Sequence, residues 1–190
     1  MSSEHQNRVL RFEQLAAPLE RQVYFTCLNM MGGHEDAEDC AQETMVRAFR
    51  KLDSFRGDSK FSTWLHAIAA HVCLDALRKR KQTYSLEMMR ESGWDVPDTA
   101  PDLYLQMETK ERRQKLRSAI ALLPPEFRAP QVLVDLQGLS YQETAKALGL
   151  PLGTVKSRVN RARQALMKIL LDSGELSGSN GRLNDERRGD

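Results

Sequence analysis

The sequence predicts an all-α protein: two small helical domains joined by a flexible acidic linker, with a helix-turn-helix in the second domain. Three observations predict it. Apolar residues recur at spacings of three and four along several long stretches, the signature of helices with one buried side. That pattern fails once, between about residues 82 and 102, where Gly93, Pro97 and Pro101 interrupt it and Glu91, Asp95, Asp98 and Asp102 make it acidic. Finally, the stretch Ser140 to Leu166 reads as a short helix, a tight turn and a second, basic helix.

Residues 9–31 form the first helical pattern, with Leu15, Leu19, Val23, Phe25 and Leu28 as its apolar side. Pro18 bends or offsets its start, and Gly32 and Gly33 end it. Residues 35–52 form the second. Ala37, Ala41, Met45, Ala48 and Leu52 line one side, while Asp36, Asp39, Glu43, Arg47 and Arg50 point outward. Acids at its start and arginines at its end suit the helix dipole. Residues 53–60 make a polar loop around Gly57. The third helix, residues 61–81, carries Trp64, Ile68, Val72 and Ala76 down one side and finishes in Arg78, Lys79, Arg80 and Lys81. Met88, Met89 and Trp94 are unusually apolar for the linker that follows and are candidates to dock on a partner or a domain. Helix resumes over residues 103–123, and Pro125 suits the start of the next, which Pro130 interrupts before Gly138. Domain boundaries follow: residues 1–82, a linker at 83–107, a second domain at 108–171, and a small, polar tail at 172–190 expected to be disordered.

The helix-turn-helix is the most informative stretch. Ser140 with Glu143 three residues on is a capping box. Tyr141, Ala145 and Leu148 share the inward side of the first helix, Gly149 ends it, and Pro151 suits the first turn of the next. Val155, Val159, Ala162 and Leu166 make the buried stripe of the second helix. Lys156, Arg158, Arg161 and Arg163 are left outside it, with Asn160, whose amide can pair with adenine by two hydrogen bonds. A helix of this kind can enter a DNA major groove.

Composition sets bounds. The chain has 190 residues, 41% hydrophobic and 28% charged, which is ordinary for a folded globular protein. Net charge is only +2, so any nucleic-acid surface is local. No apolar run approaches the roughly 20 residues needed to span a bilayer, and the N-terminus has no apolar signal core; direct membrane insertion is not expected and a cytoplasmic location is. Cys27, Cys40 and Cys73 are odd in number and widely spaced, without a CxxC pair. Free buried thiols are expected rather than disulfides or a metal site. No cofactor and no catalytic cluster is expected.

The segment DAEDCAQETMVRAFRKLDSFRGDSKFSTWLHAIAAHVCLDALRKRK, followed by LPPEFRAPQVLVDLQGLSYQETAKALGLPLGTVKSRVNRAR, resembles the extracytoplasmic-function (ECF) sigma factors of the sigma-seventy family. The resemblance spans about residues 12–170, and its three motifs occur in the family's order and spacing. It implies an initiation subunit without chemistry of its own, monomeric when free. Its expected partners are core RNA polymerase, promoter DNA and an anti-sigma factor.

The resemblance also implies sites. The DAEDxxQE helix would dock on core polymerase through Asp39, Gln42, Glu43 and Arg47. The minus-ten element would meet Ser54, Phe55, Arg56, Lys60, Phe61, Trp64, His71, Arg78, Arg80 and Lys81. Ala67 and His71 stand where the family often has Arg and Asn. Stacking in a tight pocket offsets the few kcal/mol of extruding a base. The minus-thirty-five element would meet Thr154, Lys156, Ser157, Arg158, Asn160, Arg161 and Arg163. Two rival readings are a stand-alone helix-turn-helix regulator, which predicts a dimer on a palindromic site, and a DNA-processing enzyme, which needs a placed nucleophile the sequence does not offer.

Overall fold

A computed structural model describes residues 3–87 and 107–172, with side chains described for 5–80 and 111–171. The expectations for Met88, Met89, Trp94 and the tail at 173–190 lie outside the described residues, as does the side chain of Lys81. Eight helices follow in order: α1 (Ser3–Ala16), α2 (Glu20–Met31), α3 (His34–Arg50), α4 (Phe61–Glu87), α5 (Met107–Ala121), α6 (Pro125–Gln131), α7 (Tyr141–Leu148) and α8 (Leu152–Asp172). No strand occurs among the described residues.

The expected first helix is two. Pro18 sits in a 3₁₀ turn at Ala17–Leu19 that separates α1 from α2. Its missing N–H and its ring are incompatible with a continuous helix there. The α1 helix then lies on α3. Arg8 donates to the Phe49 carbonyl at 2.9 Å and the Arg50 carbonyl at 3.1 Å at the end of α3, and pairs with Asp53 at 3.2 Å. Gly32, at φ 84°, ends α2 in the left-handed conformation.

The helices α2, α3 and α4 pack together on sides the periodicity named in part: Val23, Leu28, Ala37, Ala48, Leu52 and Val72 are buried as expected. On α2 the buried residues are Val23, Thr26, Cys27, Leu28, Met30 and Met31, while Phe25 is exposed under the Arg21 guanidinium. On α3 they are Ala37, Cys40, Thr44 and Ala48. On α4 Val72 of the expected line is buried, but Leu65, Ala69 and Cys73, one step round from it, are buried more fully, and Trp64, Ile68 and Ala76 are half-buried. The reason is that α4 is covered on two sides, by α2 and α3 and also by the second domain, so its burial exceeds any single stripe. α4 also runs to Glu87, past the expected boundary at residue 82.

Thr26, Thr44 and His66 bring polar groups into this core. Thr44 returns its hydroxyl to the Cys40 carbonyl at 2.6 Å. Thr26 donates to the Gln22 carbonyl at 2.9 Å, so the Nδ1–H of His66, 3.0 Å away, donates to the Thr26 oxygen. Burial lowers the His66 pKa to about 4. A neutral His66 is required in the fold, whereas an unfolded chain protonates it at its ordinary pKa. Stability is therefore present above pH 6.5 and is lost as pH falls toward 4. Urea unfolding is expected to show a loss of about 2 kcal/mol between pH 7 and pH 5 that His66→Gln removes. Equal slopes in the two proteins would show that His66 is not the titrating group.

The three cysteines are free and buried. Cys73 lies between the other two; hydrogen bonds with Cys27 and then Cys40, followed by burial, push its thiol up.

In the second domain, α5, α6, α7 and α8 surround Ile120, Leu123, Val132, Leu133, Val155 and Val159, all essentially inaccessible. Pro130 does not stop its helix. α6 passes directly into a π turn at Val132–Leu136, an adjustment that re-pairs backbone groups around the proline. One apolar cluster contains both Val23, Leu65 and Cys73 of the first domain and Ile120, Ala129 and Leu166 of the second. The two domains thus share a core.

Candidate nucleic-acid interface

The helix-turn-helix forms as its sequence dictates. Ser140 Oγ accepts the Glu143 N–H at 3.1 Å, and Glu143 Oε2 accepts the Ser140 N–H at 2.9 Å and its hydroxyl at 2.8 Å. The Ser140 backbone and then its hydroxyl hold the Glu143 carboxyl below its usual range. Gly149 ends α7 at φ 63°. The inward side of α7 differs from expectation. Thr144 is its buried residue, and Tyr141, Ala145 and Leu148 are half-buried. Val155, Val159, Ala162 and Leu166 of α8 are buried as expected, each Val or Leu contributing roughly 1.5–3 kcal/mol relative to exposure.

The remaining sides of α8 divide. Lys156, Ser157, Asn160 and Arg161 are exposed together, and Ser157 returns its hydroxyl to the Thr154 carbonyl at 3.0 Å. Thr154 is half-buried at the helix start. Arg158 and Arg163 leave that group. Arg158 turns into the cleft toward α4. Arg163 grips Asp135 of the π turn with both ends of its guanidinium, Nε to Oδ2 at 2.9 Å and Nη2 to Oδ1, a pairing that pushes its pKa up. The pair ties α8 to the turn while leaving the Arg163 side chain half exposed. Gln164 is exposed four residues after Asn160. It extends the outward side, and the sequence reading missed it although the spacing was available.

The loop before α4 is anchored by an aromatic corner. Phe55, Phe61 and Trp64 meet with ring centroids 5.3 Å apart in each pairing. All three are half-buried. Ser54 returns its hydroxyl to the Lys51 carbonyl at 2.6 Å, and Gly57 turns the loop at φ 79°. Arg56 and Lys60 are exposed around it. Farther along α4, the His71 Nδ1–H bonds the Ala67 carbonyl at 2.8 Å. Arg78 pairs with Asp75 at 3.4 Å and Arg80 with Asp36 at 3.1 Å. These solvent-exposed pairs are weak enough to exchange for phosphates.

On α3, Asp39 and Gln42 are exposed and Glu43 and Arg47 half-buried on one side. Arg47 bonds Glu43 at 2.7 Å and Asp75 at 3.1 Å, so this side is tied to α4. Val46, 43% exposed, lies seven residues after Asp39 among these polar groups. The sequence reading passed over it.

Family models match in the order these elements require. Sigma-70 region 2 matches residues 15–83, and Sigma-70 region 4 matches residues 113–166. The ECF RNA polymerase sigma factor SigW of Bacillus subtilis is 36% identical over 156 residues, covering 79% of this chain and 83% of SigW. SigM of Mycobacterium tuberculosis is 41% identical over 159 residues, 84% of this chain and 76% of SigM. SigE of Mycolicibacterium smegmatis is 36% identical over 159 residues, but the chain spans only 61% of its length. Among solved structures, the sigma factor RpoE in complex with the anti-sigma factor NepR from Bartonella quintana aligns at TM-score 0.65 and 28% identity, over 84% of this chain and 96% of RpoE. CnrH in complex with the cytosolic domain of CnrY aligns at TM-score 0.58 and 26% identity, over 85% of this chain and 88% of CnrH. The chain belongs to the sigma-70 family, in its ECF group of RNA polymerase sigma factors.

Proposed function

We propose that this chain binds core RNA polymerase through α3, reads a minus-thirty-five element with α8 and a minus-ten element with α4 and the loop before it, and so directs promoter-specific initiation. The observation that carries this reading is the exposed group Lys156, Ser157, Asn160 and Arg161 on a capped helix-turn-helix, downstream of a unit matching region 2. Lysine and arginine supply sequence-independent phosphate attraction, and Asn160 and Arg161 supply donors for base edges. Residues 1–82 and 108–171 are the working domains. Melting draws on binding energy, and the aromatic corner of Phe55, Phe61 and Trp64 stabilises the loop that faces the opened strand. An anti-sigma factor is the proposed third partner, by analogy with RpoE bound to NepR. The chain acts in the cytoplasm, where the polymerase is, and is a monomer until it assembles.

Multi-round transcription with purified core polymerase and a genomic fragment library tests this. New transcript starts that share two spaced upstream elements support the proposal. No new starts, together with no binding to core, would instead favour a stand-alone regulator. Asn160→Ala is expected to change preference at one position of the upstream element by about 1–3 kcal/mol while leaving affinity for core unchanged. A uniform loss over all sequences would reassign Asn160 to phosphate contact.

A further inference from the structure

Arg158 is left over by the promoter-reading sides. It stands on α8 but apart from Lys156, Ser157, Asn160 and Arg161, and it lines a cleft of about 340 Å³ between α4, α6, the end of α7 and α8. It is half-buried, and among the described residues no hydrogen bond or ion pair engages its guanidinium. Taking a charge partly out of water without a partner costs free energy, and an arriving anion recovers it through charge-assisted hydrogen bonds.

The rest of the lining says which anion. Its walls are mostly apolar: Leu74 and Leu77 come from α4, Ala129 and Pro130 from α6, and Leu148 and Leu150 from the end of α7 and the turn after it. Its charged residues are Arg78, Arg158 and Glu126, two cations and one anion, which leave one net positive charge. Arg78 also shares Asp75 at 3.4 Å, so Arg158 is the main anion partner. His71 is not one. Its Nδ1–H goes to the Ala67 carbonyl at 2.8 Å, and a neutral imidazole then presents Nε2 as an acceptor. The α6 wall is fixed from behind by Arg128, which is buried and bonds the Met30 carbonyl at 2.5 Å, in the last turn of α2, and the Ala121 carbonyl at the end of α5. The cleft is therefore formed before any ligand arrives, as small-molecule sites usually are.

We infer that this cleft binds a medium-chain carboxylic acid, with its carboxylate on Arg158 and Arg78 and its alkyl chain along the apolar walls. Size and charge both select that class. At about 30 Å³ for each water-sized group, a volume of 340 Å³ holds roughly eleven, about the size of octanoate. One carboxylate matches the single net positive charge, whereas a phosphate dianion exceeds it and is repelled by Glu126. The site adds a ligand to the chain and does not rest on the promoter reading. One consequence does: Arg78 is also a proposed minus-ten residue, so the acid and promoter DNA are alternatives there.

Isothermal titration calorimetry of the free full-length chain with octanoate tests the site. One-to-one binding with a Kd on the order of 0.1 mM is expected, and Arg158→Gln is expected to weaken it about tenfold. Octylammonium has the same chain and the opposite charge, and phosphate has charge without a chain; neither is expected to bind. No binding of octanoate, undiminished binding to Arg158→Gln, or equal binding of octylammonium or phosphate would each overturn the inference. A diazirine-bearing octanoic acid, used on the wild type, covers the case in which the variant misfolds. Its label is expected within residues 71–78, 125–130 or 148–158 and is expected to fall when octanoate is added; label confined to other segments also overturns the site. In core-dependent transcription, octanoate at ten times its Kd is expected to lower the yield about fivefold, and excess promoter DNA to restore it. Unchanged yield with octanoate bound would refute the shared use of Arg78. If the chain supports no transcription even without octanoate, the sigma reading fails, and the calorimetry still decides whether the cleft takes the acid.

Discussion

Arg128→Met is expected to destabilise the protein by about 3 kcal/mol, the largest effect of any substitution outside the apolar core. Methionine has a similar reach and fills the same space, so the loss is not a cavity. What disappears is a set of charge-assisted hydrogen bonds to Met30, Leu123 and Ala121. Those carbonyls stay buried and become unpaired, each at a cost of about 1–3 kcal/mol. Against that stands the desolvation of the guanidinium, which the variant no longer carries, so the net loss is smaller than the sum. Burial already lowers the Arg128 pKa, but a guanidinium keeps its proton. Arg128→Lys is expected to recover only part of the loss, because an ammonium cannot present a planar fork to carbonyls from two helix ends. The midpoint of urea unfolding measures both. A midpoint for Arg128→Met equivalent to less than about 0.5 kcal/mol of change would mean that water replaces the guanidinium without cost.

Glu43→Arg is expected to weaken binding to core polymerase by 2–3 kcal/mol, about 30- to 150-fold. The substitution does two things at once. It reverses the charge at the centre of the proposed docking side, between Gln42 and Arg47. It also replaces the 2.7 Å pair with Arg47 by two like charges one helical turn apart. Arg47 keeps Asp75 at 3.1 Å, so the α3 to α4 tie survives and stability is expected to change by less than about 1 kcal/mol. Titration of labelled core, alongside urea unfolding of the free chain, separates the two effects. Normal core affinity in a normally folded Glu43→Arg protein would move the docking surface off this side of α3. Val46 gives an internal check, because an exposed valine in a polymerase contact loses affinity on Val46→Asp without loss of fold.

The capping box at Ser140, the left-handed Gly149 and the buried line Val155, Val159, Ala162 and Leu166 were all legible in the sequence. Each is set within a few residues: a hydroxyl and a carboxylate three apart, a residue without Cβ, apolar side chains at helical spacing. Family membership was legible for the same reason, since the motifs are contiguous. The burial of α4 was not. Periodicity reports one side of a helix, and α4 is covered on two, so of the expected line only Val72 is fully buried, and Leu65, Ala69 and Cys73 beside it carry the rest. The break at Pro18 was visible as a proline but not as two separate helices, because the choice depended on α1 finding a place on α3 through Arg8.

The site residues sort in the same way. The sequence by itself determined that Lys156, Ser157, Asn160 and Arg161 stand outside the core stripe of α8, since helical geometry fixes which residues share a side. It could not determine that Arg163 is taken by Asp135, that Arg158 turns toward α4, or that Arg128 is a buried cation. Those depend on where helix ends from distant parts of the chain come to rest. A helix end carries unpaired carbonyls whatever its sequence, and only the packing of α2 against α5 brings two such ends within reach of one guanidinium. Local spacing decides which residues can act; the tertiary structure decides which of them are already engaged.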